Sequence, residues 1–418
     1  MGKLLGPPAG ASFVALRDRR FWLATEEEIY NARTTDVYFL NAAEVLLRKG
    51  VNPRVVFELY VRRLPYPGNW GVVTGIYEVA KLLEGRPVTV RAMEEGEVFV
   101  VNPDSAVYEP IVQVEGRYAD FAVLENPMLG LLCYSSGVST KAARIRVKAW
   151  GKTLFSFGSR RTHPALAPMV ERSAYIGGFD AVSNVLAAEL LGIKPVGTMP
   201  HAYIQCVGDQ VKAWRWFDEV VDRDVPRVAL VDTFYDEKTE AVMAWEALGD
   251  RLYGVRIDTP SSRRGDWRRI LEEVRWELDA RGGSRVKIFV SGGVDEDEVE
   301  AVKDLVDGFG VGTSVSAAPV IDFSAKIVEL EADGRFVFRA KRGDIGGKKM
   351  PYRAPGTLDD VVMLASKPPP SGREPLLTDL LVDGRIVRPF KSPQELRLRT
   401  LRRLELLARG EKPRLSWR

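Results

Sequence analysis

Residues 153–206 read TLFSFGSRRTHPALAPMVERSAYIGGFDAVSNVLAAELLGIKPVGTMPHAYIQC. Both histidines of the 418-residue chain, His163 and His201, lie in this stretch. So do the adjacent Arg160 and Arg161, placed directly behind an apolar alternation that ends at Phe157 and Gly158. A glycine-bounded cluster, Gly177, Gly178, Phe179 and Asp180, comes after them. A core helix alone would not need that chemistry. A short β-like run, then a helical period, then a second apolar run at PVGTMPH is the first turn of a strand, helix, strand repeat.

The repeat continues downstream. Short apolar runs ending in glycine or polar residues recur as LFSFGSRR, PVGTMPH, VALVDT, YGVRID, KIFVSGG and GFGVGT. Segments of helical period separate them, among them HPALAPMVERSAYIGGFDAVSNVLAAELLGI, DQVKAWRWFDEVVD and WRRILEEVRWELDARGG. This alternation predicts a parallel sheet with crossover helices, closed as a barrel or open and doubly wound. In either architecture ligands bind at the carboxyl ends of the strands.

Those ends carry Phe157 to Arg161, His201, Asp232, Arg256 with Asp258, Ser291 with Gly292 and Gly293, and Gly312 with Thr313. The glycine-rich ends leave backbone N–H groups uncovered, which suits a phosphate. Arg160, Arg161 and Arg256 can form bidentate pairs with carboxylate or phosphate oxygens. Asp232 and Asp258 can hold a hydrated Mg²⁺ or ribose hydroxyls. Each feature also has an ordinary reading: a glycine pair as a tight turn, Asp232 as a helix cap, His163 beside Pro164 as a helix-start residue. The convergence of compatible chemistry on one face favours a site for a phosphorylated sugar with a metal and an anionic partner.

The composition is 45% apolar and 28% charged with a net charge of +3, as for a water-soluble globular chain of two or three domains. Sixty basic and 57 acidic residues interleave, which argues against a nucleic-acid partner. Cys133 and Cys206 are the only cysteines, too few for a disulfide framework or a structural zinc site, and cytoplasmic location is expected. Pro7 and Pro8 interrupt the apolar run near Met1, and nothing later approaches a membrane span.

Upstream, residues 1–20 read as a leader. TEEEIYNARTTDVYFLNAAEVLLRKG reads as helical, with Thr25 and Glu28 as a capping box and a less helical step at Thr35 to Tyr38. Val55 to Leu64 reads as a strand and Tyr77 to Leu83 as a helix; the alternation from Gly85 to Cys133 predicts an antiparallel sheet, and Ser135 to Trp150 a capped amphipathic helix.

FGSRRTHP, YIGGFDAVSNVLAAELLGI and GTMPH, followed by LVDTFYDE, GVRIDT, IFVSGGVDEDEV and DGFGVGTSV, resemble nicotinate phosphoribosyltransferase of the type II family, in an archaeal-like form. The agreement runs from Thr35 to about Arg353 and includes GVVTGIYEVAKLLEG and VQVEG. The resemblance implies an α/β fold: an α/β sandwich over residues 21–135 and an incomplete TIM-like (β/α) barrel over 136–328. The implied reaction joins nicotinate to phosphoribosyl pyrophosphate, giving nicotinate mononucleotide and pyrophosphate, with Mg²⁺ and coupled ATP hydrolysis. By the same resemblance Phe157 stacks on the pyridine ring, Arg160 pairs with its carboxylate or the nucleotide phosphate, and Asp180 contacts the pyridine. Arg256 and Asp258 bind phosphoribosyl pyrophosphate, while Gly292, Gly293, Gly312 and Thr313 hold the 5′-phosphate. Tyr38 reaches the ring from a neighbouring subunit, which implies a homodimer or larger. His201 is the residue phosphorylated by ATP in much of the family, although Pro200 stands here where many relatives carry alanine or glutamate; a direct pyrophosphate contact and a structural role are the alternatives for it. Quinolinate and nicotinamide phosphoribosyltransferases, and a non-catalytic nucleotide sensor on the same fold, are the alternatives. A Schiff-base barrel aldolase needs a lysine at a strand end, and none is found there.

After Val328 the repeat stops. Residues 329–390 read as a hairpin at Asp333 and Gly334, a basic loop Lys341 to Lys349 that closes over phosphates or is merely solvated, a proline-rich linker, and a hairpin in LLTDLLVDGRIVRP that returns to the sandwich. Residues 391–418 predict a helix with Pro393 at its first position and Leu396, Leu401, Leu404 and Leu407 or Leu406 as its packed stripe. Some archaeal relatives end in a zinc knuckle, which this cysteine-free tail cannot make.

Overall fold

A computed structural model describes residues 21–263 and 265–418; the leader expected at 1–20 lies outside the described residues. The chain forms two compact units. The first comprises the described residues up to Gly137 with Val320–Ser392 and Glu411–Arg418, and the second Val138–Pro319 with Pro393–Gly410.

In the first unit a seven-stranded sheet runs in the order Arg335–Phe338, Phe323–Ala332, Arg54–Val61, Pro110–Arg117, Val88–Ala92, Thr378–Val382, Arg385–Ile386. Every neighbouring pair is antiparallel. The hairpin at residues 378–386 therefore does return to the N-terminal sheet, against Val88–Ala92. Phe323–Ala332 pairs with Arg54–Val61, so residues 320–328 belong to this unit and not to the barrel segment in which the sequence reading puts them. The capping box holds: Thr25 Oγ1 accepts from Glu28 N–H at 3.2 Å and Glu28 Oε2 from Thr25 N–H at 2.9 Å. The helical reading breaks at Asn31 to Asp36, giving helices Glu26–Tyr30 and Val37–Arg48.

One expectation fails in this unit, and one end of the basic loop is fixed. The alternation read as strand up to Cys133 instead enters a helix, Glu125–Lys148, whose first turns start ten residues before Ser135. Phe121, Leu124, Met128 and Leu132, all fully buried, have the spacing of one helical face, and that face outweighs the β-like composition. Ser135 does not cap: its hydroxyl donates to the carbonyl of Thr74 at 3.0 Å and to that of Leu131 one turn back. The basic loop is anchored inward. Lys349 is 3% exposed and gives its ammonium to Glu58 Oε2 at 3.0 Å and to the carbonyls of Ile345 and Gly347, so this lysine is a buried clasp on the sheet and is not available to a phosphate.

The second unit is built on six parallel strands: β1 (Thr153–Ser156), β2 (Ala181–Val182), β3 (Arg227–Leu230), β4 (Leu252–Ile257), β5 (Lys287–Val290) and β6 (Gly308–Val311). Their order is β2-β1-β6-β5-β4-β3, and the two end strands are not bonded to each other, so the curled sheet stays open. Leu154, Val255, Ile257, Ile288, Phe309 and Val311 are fully buried along it, as near-continuous apolar strands with helices on their faces require.

The sixth strand is not the one the sequence suggested. Residues 195–200 of PVGTMPH form no strand, because Pro195 and Pro200 have no N–H for a ladder; only Val196 N–H reaches the sheet, at Val182 O, 2.9 Å. The missing place is taken by β2, inside a segment read as continuous helix. Gly177 and Gly178 interrupt that helix: a Cβ at Gly177 would stand 2.5 Å from Ser139 O, and Gly178 turns at φ +110°. Asn184 then caps a new helix, Val185–Leu191, by accepting from Ala187 N–H.

The C-terminal helix Pro393–Ala408 packs on this unit. Leu396, Thr400 and Leu404 are its buried residues, with Leu401, Leu406 and Leu407 half-buried, and Gln394 donates to Leu191 O at 2.6 Å.

Candidate active site

Phe157 extends the β1–β6 ladder by one residue, its N–H donating to Val311 O at 2.8 Å. Phe155, two residues earlier and so on the same strand face, lies nearly parallel to it with ring centroids 6.1 Å apart and planes 10° from each other. The Phe157 ring rests on Gly310 of β6, where any Cβ would overlap it. The Arg256 guanidinium carbon stands 5.8 Å from the ring centroid. Burial lowers the basicity of Arg256, and the positive charge of Arg160 adds to that effect. Behind Phe157 the chain turns through Gly158, where a Cβ would come within 2.9 Å of Ser316 Cβ, into the single 3-10 turn Ser159–Arg161. Arg160 and Arg161 are exposed on that turn.

The neighbouring strand ends carry an acid, acid, histidine cluster. His201 is the first residue of the helix His201–Val207, not the end of a strand, with extended Pro200 as its cap. Its Nδ1 lies 3.1 Å from Thr233 Oγ1, and its Nε2 faces Asp232 Oδ1 at 3.6 Å and Asp258 Oδ2 at 3.7 Å. Asp232 Oδ2 accepts from Asp258 N–H at 2.8 Å and from the Thr259 hydroxyl at 3.0 Å. Its buried Oδ1 has no hydrogen-bond partner. Asp258 Oδ1 accepts from Ser291 Oγ at 2.7 Å.

The charges in this cluster are uneven. The Asp258 carboxylate, against burial and with Asp232 beside it, raises the His201 pKa above its ordinary value. Burial pushes Asp232 up. Burial acts in the same sense on Asp258, yet His201, Ser291 and Arg256 together hold it below the usual carboxylate value. One acid therefore keeps its charge readily while its neighbour is reluctant to, and the histidine between them favours the imidazolium.

At β5 and β6 the ends are built from glycine. Gly292 and Gly293 both have positive φ, +84° and +78°, and a Cβ at Gly292 would stand 2.6 Å from Asp258 O. Gly312 opens the short helix Thr313–Ser316, with Thr313 exposed. Ser314 Oγ donates to Val294 O at 2.6 Å and ties the two loops together. The structure thus assembles Phe157, Arg256, His201, Asp232, Asp258 and Ser291 through direct contacts, with the glycine turns at the same strand ends.

Asp180, expected at the site, is not part of this assembly, nor is His163, and Tyr38 stands in the other unit. Asp180 precedes β2, at the opposite, amino-terminal edge of the sheet. Its carboxylate accepts from Leu154 N–H at 2.8 Å and pairs with Arg146 and Arg397, so both oxygens are committed to structure and the pyridine contact inferred for it is not supported. His163 Nδ1 accepts from Ala165 N–H at 3.2 Å at the start of the helix Ala167–Ile176, as its ordinary reading expects. Tyr38 lies exposed on the helix Val37–Arg48 of the first unit.

Sequence reading missed Thr233, Gly310 and Glu240. Fully buried Glu240 accepts the backbone N–H groups of Thr233, Phe234 and Tyr235 at 3.0, 2.7 and 3.0 Å, and so holds the loop that carries Asp232 and Thr233. Its sequence signal is faint, an acid one turn inside a helix already capped by Asp236. Among the described residues no group of three or more His, Cys, Asp or Glu has metal-site geometry, and no helix is long and apolar enough to cross a membrane.

Residues 138–326 match the family described as quinolinate phosphoribosyl transferase, C-terminal domain, and residues 34–136 match its N-terminal domain. A nicotinate phosphoribosyltransferase of Mycobacterium tuberculosis is 32% identical over 379 residues, covering 80% of this chain and 82% of its own length. The chain belongs to the type II phosphoribosyltransferase family. The nicotinate phosphoribosyltransferase of Bacillus subtilis is 30% identical over 342 residues, 72% of this chain and 68% of that one. Among solved structures, nicotinate-nucleotide pyrophosphorylase from Pyrococcus furiosus superposes with a TM-score of 0.88 at 49% identity, covering 93% of this chain and 98% of the other. Human nicotinic acid phosphoribosyltransferase shares the fold at a TM-score of 0.71 and 21% identity, covering 92% and 97%. The curled parallel sheet is the fold shared with these solved structures.

Proposed function

We propose that this chain is a nicotinate phosphoribosyltransferase, forming nicotinate mononucleotide and pyrophosphate from nicotinate and phosphoribosyl pyrophosphate. The observation that carries the reading is the glycine-backed Phe157 ring beside Arg256, with Arg160 and Arg161 on the turn that follows. A flat aromatic wall flanked by cations suits an aromatic carboxylate, and the curated relatives bear that activity in their names.

The pyridine nitrogen attacks the anomeric carbon as the carbon–oxygen bond to pyrophosphate breaks. The nitrogen brings its own lone pair, so no strong base is needed, and positive charge builds on the ribose ring. Phe157 and Arg160 orient the ring, Arg256 and Asp258 hold the sugar pyrophosphate, and the turns at Gly292, Gly293, Gly312 and Thr313 receive the 5′-phosphate. Alignment of this kind supplies on the order of 7–11 kcal/mol. Asp232 Oδ1, buried without a partner, and Asp258 Oδ2 are two carboxylate oxygens that fit a hydrated Mg²⁺, which needs only one or two carboxylates beside substrate phosphates. When bound, the ion would offset charge on the departing pyrophosphate.

Coupling to ATP belongs to the same proposal, with His201 as the residue phosphorylated. Its support is the imidazole held at both nitrogens beside two carboxylates. A shared site between subunits, with Tyr38 supplied by the second copy, is proposed on the family resemblance and on the exposure of Tyr38. Quinolinate is the second reading, favoured by the family description and by the pyrophosphorylase name of the 49% identical structure.

Pyrophosphate release with and without ATP, in the wild type and in His201→Asn, tests the coupling. Stimulation by ATP that disappears in the variant is expected. Equal rates with and without ATP, and no acid-labile label from γ-labelled ATP, would remove the phosphohistidine.

A further inference from the structure

Beneath the turn that carries Phe157 and Arg160 lies a carboxyl group to which the reaction above assigns no role. Glu171, on the helix Ala167–Ile176, is fully buried. Its side chain faces the hydroxyl of Ser156, the last residue of β1, and the backbone N–H of Ser159. Both donors act on the carboxylate against the effect of burial, but neither is close enough to complete a hydrogen bond: the two carboxyl oxygens and Ser156 Oγ are buried with no partner at bonding distance. These orphaned groups are separated from the pyridine wall by one residue of chain, because Phe157 directly follows Ser156. A buried carboxyl left unsatisfied is costly, and a small movement of the turn toward the helix would satisfy three groups at once.

We propose that Glu171 is a positioning residue for the pyridine-binding turn: its carboxylate draws in the Ser156 hydroxyl and the Ser159 N–H as the turn closes on the substrate ring. This rests on the nicotinate phosphoribosyltransferase reading and adds the residue that sets the affinity of its aromatic subsite. Glu171 touches no reacting atom; it acts through the placement of Phe157 and Arg160.

Burial raises the Glu171 pKa to about 7, so the anchoring charge is complete only in mildly alkaline solution. Besides burial, the groups acting on its charge are the Ser156 hydroxyl and the Ser159 N–H, with no charged neighbour among them. Arg160 and Arg161 on the turn and Glu189 on the helix Val185–Leu191 are exposed, and Arg397 on the C-terminal helix pairs with Asp180. The substrate wall should therefore tighten as pH rises through 7, in a step that belongs to Glu171.

The test is steady-state kinetics from pH 6 to 9 on wild type, Glu171→Gln and Ser156→Ala, varying nicotinate and phosphoribosyl pyrophosphate separately, with thermal melts as the folding control. Glu171→Gln keeps the size of the side chain and removes the charge. The expected result is a KM for nicotinate raised about tenfold in Glu171→Gln at pH 8, with kcat and the KM for phosphoribosyl pyrophosphate changed less than twofold. The rise in kcat/KM for nicotinate near pH 7 should vanish in that variant, and Ser156→Ala should show a smaller rise in the same KM. A folded Glu171→Gln with wild-type KM and pH profile would overturn the inference while leaving the proposed function standing. A wild type with no turnover of nicotinate would overturn both.

Discussion

Gly310 lies directly under the ring of Phe157, and its missing side chain is what lets that ring stand at the end of β1. The backbone of Gly310 has no left-handed φ to protect, so the glycine is there for space alone. Gly310→Ala should therefore fold, with a cost of about 1–3 kcal/mol for overpacking, and should displace Phe157. We expect the KM for nicotinate to rise at least about tenfold, and steady-state kinetics beside a thermal melt will show whether binding is lost while the fold persists. An unchanged KM would mean that Phe157 is not the wall of the pyridine subsite.

His201 keeps its proton above the ordinary imidazole value of 6.5 because Asp258 faces it. Stability from this contact is complete below 6.5 and is lost as pH rises through the higher folded value. Asp258 is the mirror case: its contribution is present above the ordinary 3.8 and is lost as pH falls through its lower folded value. In Asp258→Asn the imidazole titration followed by NMR should move down in pH. A titration that stays put would show that the carboxylate does not control the histidine.

Glu240 takes three consecutive backbone N–H groups of the loop that presents Asp232 and Thr233. Glu240→Gln replaces one acceptor oxygen by a donor that meets those N–H groups, at a cost of about 2–3 kcal/mol. Lower melting temperature together with reduced kcat is the expected outcome, since His201 loses the fixed position of Thr233. A variant that melts lower but turns over normally would confine Glu240 to stability.

Asp180 separates the structural account from the family resemblance. Its partner Arg146 is 6% exposed in its side chain, and Asp180→Asn leaves that buried cation short of charge. Because Asp180 is 35% exposed and water can compensate in part, a loss of about 2–3 kcal/mol is expected, below the range for a fully buried pair. Chemical denaturation should register that loss while the KM for nicotinate stays within about twofold. A large rise in KM without a loss of stability would restore the substrate contact.

Much of the second unit was legible because parallel buried strands announce themselves: VALVDT, YGVRID, KIFVSGG and GFGVGT end where their apolar runs end. PVGTMPH has the same composition but carries two prolines, and the strand it mimics is supplied by the two residues Ala181 and Val182, too short to leave a periodic signal. His201 was found as a site residue, although it starts a helix where a strand end was expected. Asp180 was misplaced because its motif travels with the site residues in sequence while its side chain points to ion pairs at the other edge of the sheet. Gly310 and Glu240 act through space and backbone contacts that only the packed chain reveals. The burial of Lys349 at the end of the basic loop is not legible in sequence because its acid, Glu58, is 291 residues away.

The central claim is tested most directly by offering the protein nicotinate, nicotinamide and quinolinate at equal concentration with phosphoribosyl pyrophosphate and Mg²⁺, and identifying the nucleotide products by mass. The account predicts nicotinate mononucleotide from nicotinate, with nicotinate remaining the consumed base when each substrate is offered alone. Nucleotide formed with loss of carbon dioxide from quinolinate alone, or no product from any of the three, would contradict it.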